Sequence, residues 1–160
     1  MKHYTRISTS SVKQDYGTPD NIYQPLHDLF DFTLDPCATF ENAKCDKFFT
    51  EEQDGLIQNW EGEKVFCNPP YNKLANWLRS IATREDYKYC VVLCPARVGQ
   101  KYFQEAWMSE KCEQVLFLSE RVKFIGAKDV AAFPSAIMYF SNTFFKKNMI
   151  ELPFNGMVIS

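Results

Sequence analysis

The run Lys64-Val65-Phe66-Cys67-Asn68-Pro69-Pro70-Tyr71 decides how the rest of this chain is read. The apolar residues ending at Phe66 have the character of a buried strand, and a helical pattern begins just past Tyr71. Two consecutive prolines fix φ and remove two N–H donors, so the backbone between them joins neither a ladder nor a helical turn. That leaves the Asn68 amide oxygen and the Pro69 carbonyl as acceptors, with the flat face of Tyr71 beside them. Two acceptors and a ring suit a planar group that bears an NH2, and adenine meets that description.

Working outward, helical spacing marks residues 20–30, 73–83 and 100–108, and apolar runs between them mark strands. Leu74, Trp77, Leu78 and Ile81 form one helical stripe; Tyr102, Phe103, Ala106 and Trp107 form another. Tyr89 to Cys94 is nearly continuous in apolar residues, as expected of a central strand covered on both sides. Shorter strands are expected at 32–34, 47–49, 115–118 and 136–140, with an edge strand at Met157-Val158-Ile159. This alternation predicts an α/β protein with three layers and one largely parallel sheet, whose ligands gather along one edge.

Composition limits what such a sheet does. With 160 residues and 46% apolar content, the chain is expected to form one domain over 15–160, with 1–14 as a flexible arm and no separate target-recognition domain. The net charge of −2 argues against strong, sequence-blind binding to nucleic acid. Its distribution softens that, because residues 1–80 carry 8 basic against 12 acidic side chains and residues 81–160 carry 10 against 8. Backbone contacts to a nucleic acid are therefore expected from the second half. Six cysteines, at 37, 45, 67, 90, 94 and 112, form no Cys-x2-Cys pair and sit mostly in apolar runs, as reduced thiols in a cytoplasmic protein would. With only His3 and His27 to assist them, no metal site is expected. No stretch approaches the length of a membrane span.

Individual residues carry two readings each. Thr18, Pro19 and Asp20 have the order of a helix start, with threonine as cap and proline at the first helical position, and Ile22, Leu26, Leu29 and Phe30 follow on one face. Asp35 stands at the carboxyl end of a strand, where it either receives an ammonium group or caps the Asp-Pro turn. Pro36-Cys37-Ala38-Thr39 lacks the glycines of a phosphate-binding turn, so a dinucleotide is not expected. Asp54 follows the next strand and suits a ribose diol or an adenine amine, whereas Glu51 and Glu52 read as solvated loop charges. Arg97 and Lys101 lie near the same edge as Asn68, either for phosphate oxygens or as a solvated helix start. Arg121 and Lys123 alternate with apolar residues, which suggests one face toward phosphates. Phe124 and Phe133 are each either core or a second ring for a stacked base.

Gly17-Thr18-Pro19, Leu34-Asp35-Pro36-Cys37-Ala38, Asp54-Gly55-Leu56, Asn68-Pro69-Pro70-Tyr71 and Arg121-Val122-Lys123-Phe124 occur in the order seen in the small phage-type DNA N6-adenine methyltransferases, which the chain resembles over roughly residues 15–140. The resemblance implies a Rossmann-like methyltransferase sheet with an antiparallel last strand, S-adenosylmethionine as cofactor, and DNA as partner. It implies that Asn68, Pro69, Pro70 and Tyr71 hold a flipped adenine. It carries cofactor binding to Tyr16, Gly17, Thr18 and Pro19 beside the methionyl end, to Asp35, Pro36, Cys37, Ala38 and Asn68, and to Asp54 and Leu56 at the adenine end. Arg97, Lys101, Arg121, Lys123, Phe124 and Phe133 are the expected DNA contacts. The family usually has a glycine before that arginine, where this chain has Ser119-Glu120. The same corner also serves enzymes that methylate RNA bases or protein glutamine, and a catalytically silent binding module is the reading from outside the enzymes.

Overall fold

A computed structural model of the chain describes residues 16–143 and 150–160. The expected arm at 1–14 and the Lys146-Lys147 pair lie outside the described residues. Three helices, α1 (Asp20–Phe30), α2 (Leu74–Thr83) and α3 (Lys101–Trp107), accompany seven strands. The strands are β1 (Leu34–Asp35), β2 (Lys47–Phe48), β3 (Glu63–Cys67), β4 (Tyr87–Pro95), β5 (Cys112–Leu118), β6 (Ser135–Ser141) and β7 (Gly156–Ile159). They form one sheet in the order β2-β1-β3-β4-β6-β5-β7. The first four are mutually parallel. β6 inserts antiparallel between β4 and β5, and β7 adds antiparallel to β5 at the edge. The sheet is thus mixed, parallel in its first part and antiparallel in its second.

Strand periodicity places the helices. Val65, Cys67, Cys90, Val92, Cys94, Met138 and Phe140 point to one face, where they meet Leu74, Trp77, Leu78 and Ile81 of α2 and Phe103 and Ala106 of α3. Phe66, Val91, Leu93 and Ile137 point to the other, against Ile22, Tyr23, Leu26 and Phe30 of α1. β4 has buried residues directed to both faces, so it reads as a continuous apolar run.

Two local expectations at α1 give way to tertiary contacts. Leu29 is 47% exposed, and Tyr23 takes its place inside, where its hydroxyl donates to the Lys44 carbonyl at 2.9 Å. The cap residue is Pro19 rather than Thr18, and no side chain caps the helix. The Thr18 hydroxyl instead accepts a hydrogen bond from Asn68, described below. Ahead of α1 the chain is pinned by an antiparallel bridge between Gly17 and Ile125, with the Ile125 N–H donating to the Gly17 carbonyl at 2.9 Å. That bridge brings the segment at 16–19 across the carboxyl ends of the parallel strands.

Candidate functional site

Every parallel strand delivers its carboxyl end to the same edge, so the turns after β1, β2, β3 and β4 meet there. After β3 the two prolines keep the chain extended: Pro70 has φ −62° and ψ 131° and leads into a single 3-10 turn, Tyr71–Lys73, that runs directly into α2. Asn68 is half-buried at the start of this corner and Pro69 is buried. The Asn68 carbonyl accepts the Cys37 thiol at 3.1 Å, and its side-chain Nδ2 donates to Thr18 Oγ1 at 3.1 Å. Among the described residues Oδ1 receives no hydrogen bond.

A cavity of about 630 Å3 opens on one side of Asn68. Its walls are the turn Pro36–Asn42 after β1, the loop around 50–56 after β2, and Lys73, Asn76 and Trp77 of the α2 region. A second hollow of about 20 Å3 borders it and is lined by Tyr16, Gly17, Thr18, Asp35 and Lys44. Cys37, Asn42 and Asn68 line both, so the two spaces adjoin. Asp35 reaches the small hollow only. Its carboxylate caps its own turn, accepting the Cys37 N–H at 3.4 Å and the Lys44 N–H at 3.1 Å. The side chain is 5% exposed, and burial pushes its pKa from an ordinary 3.8 up to about 6, against the pull of those two amides and the Lys44 charge.

The loop after β2 is held onto the cavity by Gly55. A Cβ at this position would stand 1.9 Å from the Pro36 carbonyl oxygen, so only glycine lets the two turns meet. Asp54 takes a left-handed conformation at φ 51° and accepts the Leu56 N–H at 3.1 Å. The Gly55 carbonyl accepts the Trp60 indole N–H at 2.9 Å, which ties the loop to the core. Glu51, expected as a free loop charge, pairs with Lys73 at 3.0 Å across the cavity.

On the other side of Asn68, Tyr71 meets two rings edge-on, Phe133 at 5.1 Å and Phe124 at 6.2 Å between centroids. Burial holds the Tyr71 phenol well above its ordinary pKa, so it stays neutral. Phe124 is 5% exposed and belongs to the α1-side core, whereas Phe133 is half-buried and carries the Arg97 guanidinium 5.6 Å over its ring. Arg121 and Lys123 are exposed while Val122 and Phe124 between them are buried. Lys101 points along α3 to Glu105 at 3.7 Å.

Tyr16, Gly17, Thr18, Asp35, Pro36, Cys37, Ala38, Asp54, Leu56 and Asn68 all line the cavity or the hollow beside it, Leu56 while also packing against the core, whereas Phe124 belongs to the core and Lys101 to the α3 surface. Phe40 and Asn42 were not anticipated. Phe40 is 81% exposed in a polar turn at the cavity wall, edge-on to Phe48 at 5.4 Å, and an aromatic side chain inside Thr39-Phe40-Glu41-Asn42 was the available signal. Asn76 and Trp77 also line the cavity, although their helical spacing reports only a docking face. Among the described residues no group of three His, Cys, Asp or Glu side chains could hold a metal, and no helix is long and apolar enough to cross a membrane.

The fold is thus a mixed α/β sheet that carries a ligand-sized cavity and an Asn-Pro-Pro-Tyr corner at the carboxyl edge of its parallel strands. Residues 6–152 match the DNA N-6-adenine-methyltransferase (Dam) family, and the chain belongs to that family of methyltransferases. It is 30% identical over 125 residues to a DNA N-6-adenine-methyltransferase of Haemophilus phage HP1, covering 76% of this chain and 72% of that protein. It is 28% identical over 109 residues to a DNA N-6-adenine-methyltransferase of Escherichia phage T1, covering 66% of this chain and 46% of the relative.

Proposed function

We propose that this protein is a site-specific DNA methyltransferase that transfers a methyl group from S-adenosylmethionine to the N6 amine of adenine. One observation carries the reading: Asn68 lines a ligand-sized cavity and leads into Tyr71, whose ring meets Phe133, and among the described residues its carboxamide oxygen receives no hydrogen bond. Family membership supports it, as do two phage relatives that carry this activity in their names.

The residues of the cavity fit the cofactor. A volume of about 630 Å3 lies within the roughly 300–1,000 Å3 usual for small-molecule sites. The buried Asp35 carboxylate, in the hollow beside the cavity, suits the ammonium group of a methionyl end, while Asp54 and the exposed Phe40 ring in the cavity wall suit a nucleoside end. The cofactor when bound supplies an electrophilic methyl group on a sulfonium. The remaining work belongs to this chain. An adenine paired inside a duplex cannot expose its amine, so the base leaves its stack and lies against the Tyr71 ring. Asn68 Oδ1 and the Pro69 carbonyl accept the two amine protons, which turns the nitrogen lone pair out of conjugation and toward the cavity. The transfer balances as a new C–N bond in place of the donor's C–S bond, whose electron pair would stay on the sulfur, with one proton of the nitrogen lost to solvent. No strong base is needed, because orientation of this kind is worth on the order of 7–11 kcal/mol. Arg97, Arg121 and Lys123 are exposed and suit DNA phosphates. Such an enzyme works in the cytoplasm of a bacterial host.

The test is labelled methyl transfer from S-adenosylmethionine to duplex DNA, to RNA and to protein lysate, with methylated adenines mapped in DNA from expressing cells. Asn68→Ala is expected to abolish transfer to DNA and to spare cofactor binding. Transfer to RNA or protein alone would refute the substrate, and binding without turnover would refute the activity.

A further inference from the structure

We infer that the buried Thr18 hydroxyl is a positioning group for Asn68, accepting its Nδ2–H so that the carboxamide can keep Oδ1 turned toward the target amine. This rests on the proposed reaction and assigns Thr18 a role toward Asn68 rather than toward the cofactor.

Thr18 is 3% exposed and stands where a threonine would ordinarily cap a helix. It caps nothing: Ile22 and Tyr23 donate to the Pro19 carbonyl, and the hydroxyl accepts from Asn68 Nδ2 at 3.1 Å, fifty positions away in sequence. The Thr18 backbone is itself fixed, between the Gly17–Ile125 bridge and the start of α1. The Asn68 main chain is fixed too, by the Cys37 thiol on its carbonyl and by Pro69 behind it. What remains free is rotation of the carboxamide.

A half-turn of that group exchanges oxygen for NH2 with almost no change of shape, but the two orientations are chemically opposite. The adenine amine offers protons only, so a turned carboxamide would set donor against donor. With Oδ1 toward the amine, the Nδ2–H needs an acceptor, and the buried Thr18 Oγ1 is that acceptor. The amine thus sets the orientation, and the hydroxyl holds it by giving the Nδ2–H an acceptor.

Thr18→Val keeps shape and removes the acceptor; Thr18→Ser keeps the acceptor and removes a methyl group. Turnover at saturating DNA and S-adenosylmethionine should fall on the order of 10- to 100-fold in Thr18→Val, the equivalent of leaving one buried donor without a partner. Thr18→Ser should restore it, and the Kd for S-adenosylhomocysteine, measured by calorimetry, should be unchanged in both. That unchanged Kd also verifies that each variant is folded. Wild-type turnover in Thr18→Val overturns the inference, as does a loss confined to the Kd or one that serine fails to rescue. Asn68→Ala assayed in parallel separates the two levels. If it still methylates adenine, the proposed reaction fails and this role with it. If it is inactive while Thr18→Val turns over normally, only the positioning role fails.

Discussion

Asp35→Asn should make the ligand-free protein more stable at neutral pH and leave it nearly unchanged in acid. Asp35 is 5% exposed, and its carboxyl loses a proton in the folded chain only near pH 6, against an ordinary 3.8. The folded state therefore holds that proton more tightly than the unfolded chain does. Stability from this group is full below pH 3.8 and is lost as pH rises through about 6. At about 1.4 kcal/mol for each pH unit of that interval, ionised Asp35 costs the fold on the order of 3 kcal/mol. Asparagine removes the charge, but its NH2 cannot accept the Lys44 N–H that Oδ2 now accepts, a loss of about 1 kcal/mol. The net gain at pH 8 should be about 1–3 kcal/mol, or several degrees in Tm at roughly 2–4 °C per kcal/mol for a chain of this size. Urea and thermal unfolding of both proteins at pH 4 and pH 8 measure it. A variant no more stable than the parent at pH 8, or a difference equal at both pH values, would refute the reasoning. The same charge is what an ammonium group would seek, so S-adenosylhomocysteine should bind Asp35→Asn more weakly, and the rise in parental affinity between pH 5 and pH 7 should vanish with it.

Gly55→Ala should lower stability by more than about 2 kcal/mol and weaken cofactor binding together, because its Cβ would meet the Pro36 backbone at 1.9 Å and push the 54–56 loop off the cavity; calorimetry and urea titration check both, and a stable variant with parental affinity would count against that contact. Phe124→Ala should cost about 3–5 kcal/mol of stability as a core truncation. Phe133→Ala should leave stability nearly intact and weaken DNA binding by roughly 1–3 kcal/mol, one base's stacking, and equal losses of stability in the two would dissolve the distinction. Arg121→Ala and Lys123→Ala should each flatten the dependence of log Kd for duplex DNA on log salt by about 1, and an unchanged slope would remove that residue from the phosphate contacts.

Much of this molecule is visible in short-range pattern. The four apolar residues of α2, Leu74, Trp77, Leu78 and Ile81, are all buried, because a 3.6-residue period leaves a stripe no other structure explains. β4 is apolar from Tyr89 to Cys94 because that part is covered on both faces, and the corner at Asn68 is extended because two prolines forbid anything else. At Thr18 the local signal for a cap is sound as statistics, yet an amide fifty positions away engages the hydroxyl. Leu29 obeys the helical period and still faces solvent, since Tyr23 fills the space beneath the helix.

The amino-acid sequence by itself determined which segments are strand or helix, that they alternate, and that Asn68 to Tyr71 form a rigid corner; these follow from periodicity and backbone constraint, which act between near neighbours. Only the tertiary structure decided that Phe133 rather than Phe124 stays at the surface beside Tyr71, that Gly55 exists to let two turns touch, and that Asp35 is buried with two amides on its carboxylate. Each of those depends on which distant backbone arrives within a few ångströms, and spacing along the chain carries no record of such meetings.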